Sequence, residues 1–183
     1  MEHGVMVMGG VAQPMPMAAE LSQTQDGLST PGSEQPEVAR LITQLIMLAS
    51  HLKELETQAH LIHLNYEGDN FLEVHRFLKD QYEAHLEQFD TVAELVRSMD
   101  YWMPLCSCGL KDALCSFRHV ESHEGRAMLV PYMGNLEAMG FLAKTIEKVA
   151  AAAEAPDVQN AMADLVGAAF KASWFIKATL RGC

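Results

Sequence analysis

The chain has 183 residues, a length that favours one domain, and 49% apolar against 20% charged residues makes it globular. A net charge of −11 argues against phosphate-backbone binding, which needs clustered Lys and Arg. Four cysteines are too few for a disulfide scaffold, no basic leader precedes Arg40 and no apolar run is long enough for a membrane span, so a cytoplasmic protein is expected.

Residues 1–35 carry five of the twelve methionines (Met1, Met6, Met8, Met15, Met17) with Gly, Gln, Pro and Ser and no periodicity. They read as a mobile tail. Its acids, Glu2, Glu20, Asp26 and Glu34, have no basic residue to balance them. A copper site built on His3 would need closer ligand clustering than this.

From Pro36 the apolar residues fall at three- and four-residue steps: Val38, Leu41, Ile42, Leu45, Leu48, Leu52, Leu55, Ala59, Ile62. The spacing predicts a helix to about Tyr66, broken by Gly68-Asp69-Asn70. A second stripe, Phe71, Val74, Leu78, Tyr82, Leu86, Phe89, Val92, Ala93, Val96, predicts a second helix. Each would be about 40 Å long at the helical rise. Residues 98–122 hold Pro104, Gly109, Cys106, Cys108 and Cys115 and no long period; a short helix is expected over Leu110–Phe117. The cysteines are expected to be reduced, with a metal site built on the three as the less favoured reading. A third stripe runs from Leu129 to Ala153 with Pro131 inside it, so that helix starts just before the proline or kinks there. Ala155-Pro156-Asp157 separates it from a fourth, Val158 to Leu180, with Asp157 as the N-cap. Lys171, Lys177 and Arg181 suit the dipole at the end of that helix.

Two tight connections and a central one of about 25 residues describe an all-α four-helix bundle whose long crossover contains a short helix. This is the ferritin-like arrangement, and it takes residues 36–183. In such bundles a di-iron centre uses Glu-x-x-His on two helices, which puts both ligands on one inward face. No Glu in this chain has a His three residues later, and no His follows His123, so that centre is disfavoured.

Metal-ligating side chains lie on the first two helices instead. His60 and His63 are one turn apart near the end of the first; His75 lies in the first two turns of the second. Further along, Glu83, Glu87, Asp90 and Glu94 form an acidic stripe in which Asp90 and Glu94 are one turn apart. Two imidazoles and two carboxylates suit Fe(II). His75 and Asp90 are separated by about 22 Å along one helix, so a single chain cannot bring both to one ion. Either these are histidines at a helix end and a solvated acidic face, or two subunits share a site.

The stretch from His63 through Gly68 and Phe71 to His75, followed by Phe89-Asp90-Thr91-Val92-Ala93-Glu94, resembles the Dps family of mini-ferritins. His63, Gly68, Phe71, His75, Asp90 and Glu94 all match the family's spacing; His60 matches a histidine often found one turn earlier, and Ser173-Trp174-Phe175-Ile176 looks like the family's last helix. The resemblance implies a hollow dodecameric shell of identical subunits that oxidises and stores iron. It implies a ferroxidase whose iron is held by His63 and His75 of one subunit and Asp90 and Glu94 of its two-fold mate, with His60 behind them. Fe(II) would be oxidised there by hydrogen peroxide in preference to oxygen and kept as ferric mineral. In the family, acids at the start of the last helix line three-fold pores: Asp157 matches one such position, Asn160 replaces the next, and Asp164 falls on the same face as Asp157. Some members bind DNA through a Lys- and Arg-rich tail; this tail has neither residue, so DNA binding is not carried over.

The sequence also departs from the family. Leu64 stands where a Trp usually follows the first His, which removes a ring that shields the site from radical chemistry. Leu95 replaces the Arg of the family's Ala-Glu-Arg, so an ion pair is missing or relocated, and Met99-Asp100 replaces the usual Gly-Gly. Leu64 and Leu95 keep a second reading open: a catalytically weak shell that serves as a structural or cargo-binding assembly.

Overall fold

The computed structural model describes residues 36–181 apart from 69 and 115; the tail assigned to residues 1–35 lies outside the described residues. The elements in order are α1 (Pro36–Asn65), α2 (Phe71–Ser98), α3 (Ser107–Ala113), α4 (Gly125–Ala152) and α5 (Pro156–Arg181), with no strand among the described residues. α1 pairs with α2 and α4 with α5; α1 also packs on α4, and α2 more sparingly on α5. This is the four-helix bundle with one long crossover, residues 99–124, that carries the short α3. No helix of the described residues is long and apolar enough to cross a membrane.

The stripes read from the sequence form the core. Leu41, Leu45, Leu48, Leu52 and Leu55 of α1 are fully buried, as are Leu78, Val92 and Val96 of α2, Leu136 and Ile146 of α4, and Val158 and Met162 of α5. Each buried leucine contributes roughly 1.5–3 kcal/mol over its exposed state. Phe71 and Leu86 depart from their stripe and are exposed, because α2 presents a narrower apolar face than the others.

Four local expectations need correction. The short helix is Ser107–Ala113 and starts three residues before the expected Leu110, where the Cys106 sulfur accepts the Gly109 N–H at 3.3 Å. Cys106 and Cys108 are disulfide-bonded to each other and not reduced; Cys115 and Cys183 lie outside the described residues. α4 begins well ahead of Pro131 because Glu124 caps it, its carboxylate accepting from Arg126 N at 3.0 Å and Ala127 N at 2.7 Å. Those two bonds, the one from Arg126 first, hold the Glu124 carboxyl below the usual carboxylate range. Asp157 is no N-cap: α5 starts at Pro156, and Asp157 sits in its first turn, where a carboxylate favours the positive end of the helix dipole.

The crossover is held down by polar side chains embedded in the core stripes. Ser50 of α1 donates to Leu110 O. Gln58 Nε2 and Asn135 Nδ2 both donate to Arg118 O, at 2.7 and 2.8 Å, and Asn135 Oδ1 accepts from Arg118 N at 3.0 Å. Asn135 also donates to Gln58 Oε1 at 2.9 Å, so α1, α4 and the crossover share one satisfied network. Half a turn further along α4, Glu137 accepts from Ser173 and pairs with Lys177 of α5; Lys177 is therefore an ion-pair partner and not simply a dipole charge.

Candidate metal centre

The α1–α2 hairpin builds the site. Tyr66 N–H still bonds Ile62 O at 2.8 Å, then Gly68 takes a φ of +152°, which an L side chain rarely adopts, and Phe71 N–H bonds back to Gly68 O at 3.1 Å. This tight reversal brings residues twelve apart face to face. The His63 and His75 rings stack with centroids 3.7 Å apart and planes at 21°. The His63 Nδ1 lies 2.8 Å from His75 O, and the His75 Nδ1 lies 3.1 Å from His63 O. A carbonyl oxygen only accepts, so each Nδ1 carries a proton and donates it. In the neutral imidazole that leaves the lone pair on Nε2, the orientation seen in metal-ligating histidines whose other nitrogen is fixed by a carbonyl. The pair is thus set in one tautomer by its own backbone.

Aromatic rings pack around the pair. Phe71 leans on His75 at 5.1 Å and Tyr82 meets His63 edge-on at 5.5 Å. His60 stacks on Tyr82 at 4.3 Å, with its ring 6.1 Å from that of His63. Leu61, Leu64, Phe71 and Leu72 are all exposed on this end of the hairpin, and Leu64 is 65% exposed.

Asp90 and Glu94 are also exposed, one turn apart on α2 and about 22 and 28 Å from His75 along the same helix. Among the described residues, no three His, Cys, Asp or Glu side chains lie close enough to hold a metal ion. One chain therefore brings together two imidazoles and, elsewhere, two carboxylates. Asp157 and Asp164 are exposed on α5, two turns apart.

The sequence reading missed the polar centre of the bundle. His85 is 2% exposed; its Nε2 lies 2.9 Å from Tyr132 Oη and its Nδ1 lies 3.0 Å from Gln88 Oε1. Burial pushes the His85 imidazole down to about 4, against the raising effect of Gln88. His51 is lowered too, by burial, against its bond to Asn135 O. Tyr132, fully buried, is raised well above the ordinary phenol range by the same desolvation. No Asp or Glu is buried among the described residues, so the bundle interior lacks the carboxylates of an internal di-iron centre. The signal in the sequence was present: His51 and His85 interrupt otherwise apolar stripes.

No family model matches the chain, and no curated protein sequence matches it. Solved structures do. A Dps protein from Bacillus brevis superposes with a TM-score of 0.76 at 17% identity, over 80% of this chain and 99% of its own. Dps from Vibrio cholerae O1, described as a member of a broad superfamily of ferritin-like diiron-carboxylate proteins, gives 0.73 at 19% identity, over 79% and 91%. The chain has the Dps fold. Antigen TpF1 from Treponema pallidum is similar as well, with a TM-score of 0.75 and 23% identity, over 83% of this chain and 99% of that one. Within this Dps fold the stacked histidines mark the α1–α2 turn and the two acids mark the far half of α2.

Proposed function

We propose that this chain is a divergent Dps-type ferroxidase that assembles into a hollow shell of identical subunits and stores iron as ferric mineral. The observation that carries the reading is the His63–His75 pair, each Nδ1 proton committed to the other residue's carbonyl and each Nε2 left as a ligand. Leu64, Phe71 and Leu72 are exposed at the same turn, a surface suited to a second copy of the chain.

In this reading the two-fold mate supplies Asp90 and Glu94, which resolves their separation from His75. Fe(II) is the substrate. The two carboxylates offset the metal's charge and favour the ferric product, while two neutral imidazoles hold it loosely enough for release into the cavity. Two Fe(II) give one electron each to hydrogen peroxide, which leaves as two hydroxides; both reactants of hydroxyl-radical formation are removed together. His60 lies behind His63 across Tyr82 and keeps that edge of the site packed. Asp157 and Asp164 line pores that concentrate Fe(II). The setting is cytoplasmic, and DNA is not a partner.

The test is direct. In size-exclusion chromatography the full chain should elute as a multi-subunit particle. Adding Fe(II) and peroxide should then raise ferric absorbance in the near ultraviolet far faster than in buffer. Changing His63 and His75 together to Ala should cut the initial rate by at least about tenfold without changing elution. An assembled particle whose rate equals that of buffer would overturn the ferroxidase reading and leave the catalytically weak shell.

A further inference from the structure

Independently of the iron chemistry, we propose that Cys106 and Cys108 form a thiol–disulfide exchange site, with a small-molecule thiolate as its substrate and Cys106 as the sulfur attacked. Two residues of separation close a ring so small that the bond removes little freedom from the unfolded chain, so a stabilising role does not account for it. Both cysteines are exposed, the setting of labile disulfides and not of structural ones. In the cytoplasmic setting proposed above, a disulfide is usually a redox participant.

The surroundings distinguish the two sulfurs. A cleft of about 260 Å³ lies between α1 and the crossover, and Cys106 lines it with Lys53, Glu54, Leu105, Ser107 and Lys111; Cys108 does not. Its floor is fixed, because Ser50 of α1 ties down Leu110 O. Lys53 is paired with Glu56 at 2.5 Å, and Glu54 contributes one negative charge to the wall. Lys111 makes no ion pair among the described residues, so its ammonium is available to an incoming thiolate. The thiolate attacks Sγ of Cys106; a new S–S bond forms, the Cys106–Cys108 bond breaks, and Cys108 leaves as a thiolate that takes a proton from solvent. A second thiolate attacks the outer sulfur of the mixed disulfide and frees Cys106, which is protonated in turn. Two small thiols are oxidised to one small disulfide, and the protein disulfide is reduced to two thiols.

The experiment equilibrates the full-length chain with a series of reduced-to-oxidised glutathione ratios. Acid quenching, alkylation and mass spectrometry of the tryptic peptide 98–111 then read the state of the pair. The expected result is reversible conversion between the disulfide and the doubly alkylated form, with the midpoint inside the series. Cys108→Ser should store glutathione on Cys106. Cys106→Ser should store it on Cys108 about tenfold more slowly, and Lys111→Ala should slow the first of these reactions several-fold. Circular dichroism establishes that each variant keeps its helix content. A pair that stays oxidised in fully reduced glutathione, or equal rates at the two sulfurs, would overturn the proposal.

Discussion

Burial keeps the His85 imidazole neutral at the centre of the bundle, where its two nitrogens are used by Tyr132 and Gln88. The consequence for stability has a definite sign. In the unfolded chain the ring protonates near its ordinary 6.5, whereas in the fold it protonates only at about 4. Between those values the unfolded state binds more protons, so stability is complete above pH 6.5 and is lost as pH falls towards 4. His51 is lowered in the same direction and adds to the effect. His85 alone should remove roughly 2–3 kcal/mol between pH 7 and pH 4.5. Urea unfolding of the wild type and of His85→Gln at both pH values checks this: the variant should lose distinctly less on acidification. Equal losses would show that His85 does not titrate between the two states. Little of this residue-scale chemistry was legible beforehand. Two histidines in apolar stripes announce a buried polar group, but which side chain on a facing helix completes it depends on rotations about both helix axes, which periodicity does not give.

α2 and α4 each end on a left-handed residue that is not glycine. After α2, Asp100 has a φ of 66°, with Asp100 N–H bonded to Arg97 O and Tyr101 N–H to Val96 O. After α4, Glu154 has a φ of 53°, with Glu154 N–H bonded to Ala151 O and Ala155 N–H to Ala150 O. Each set of bonds is the two-bond helix stop that normally takes glycine. Aspartate tolerates this conformation better than most residues, which explains how Met99-Asp100 replaces a glycine pair without loss of the turn. Glutamate has no such advantage, so Glu154→Gly should stabilise the fold by about 0.5–1 kcal/mol, read as a higher urea midpoint with an unchanged slope. A lower midpoint would mean that the Glu154 side chain contributes more than its backbone costs. At this scale the sequence was most informative. The four long helices follow from three- and four-residue spacing, and Gly68 marks the turn that joins His63 to His75. The crossover was not legible, because its position rests on single bonds from Ser50, Gln58 and Asn135 to carbonyls far away in the chain.

At the scale of the whole molecule the question is what a second copy adds. Asp157→Asn tests the approach of iron: at low Fe(II) it should slow uptake by about tenfold while assembly is unchanged, since an acidic ring concentrates cations by focusing the field. If uptake is unchanged and only stability falls, Asp157 serves its helix alone. The sharing of the site admits a stricter test. One chain holds two imidazoles at the α1–α2 turn and two carboxylates about 22 and 28 Å further along α2, so neither half binds iron well alone. A variant with His63 and His75 changed to Ala should therefore fail as a ferroxidase, and so should one with Asp90→Asn and Glu94→Gln. Unfolding the two together and reassembling them makes mixed two-fold pairs. In each mixed pair one site receives both histidines from the carboxylate variant and both carboxylates from the histidine variant, while the other site receives neither. Random pairing makes about half of all pairs mixed, and each carries one intact centre of two, so about a quarter of wild-type activity should return. A site confined to one subunit gives no recovery, because no mixing can reunite ligands lost from the same chain. Stopped-flow oxidation of Fe(II) by peroxide, measured on particles whose mixed composition is established by mass spectrometry, decides between the two. Zero recovery in such particles would rule out the shared centre and leave His63 and His75 as a packed turn.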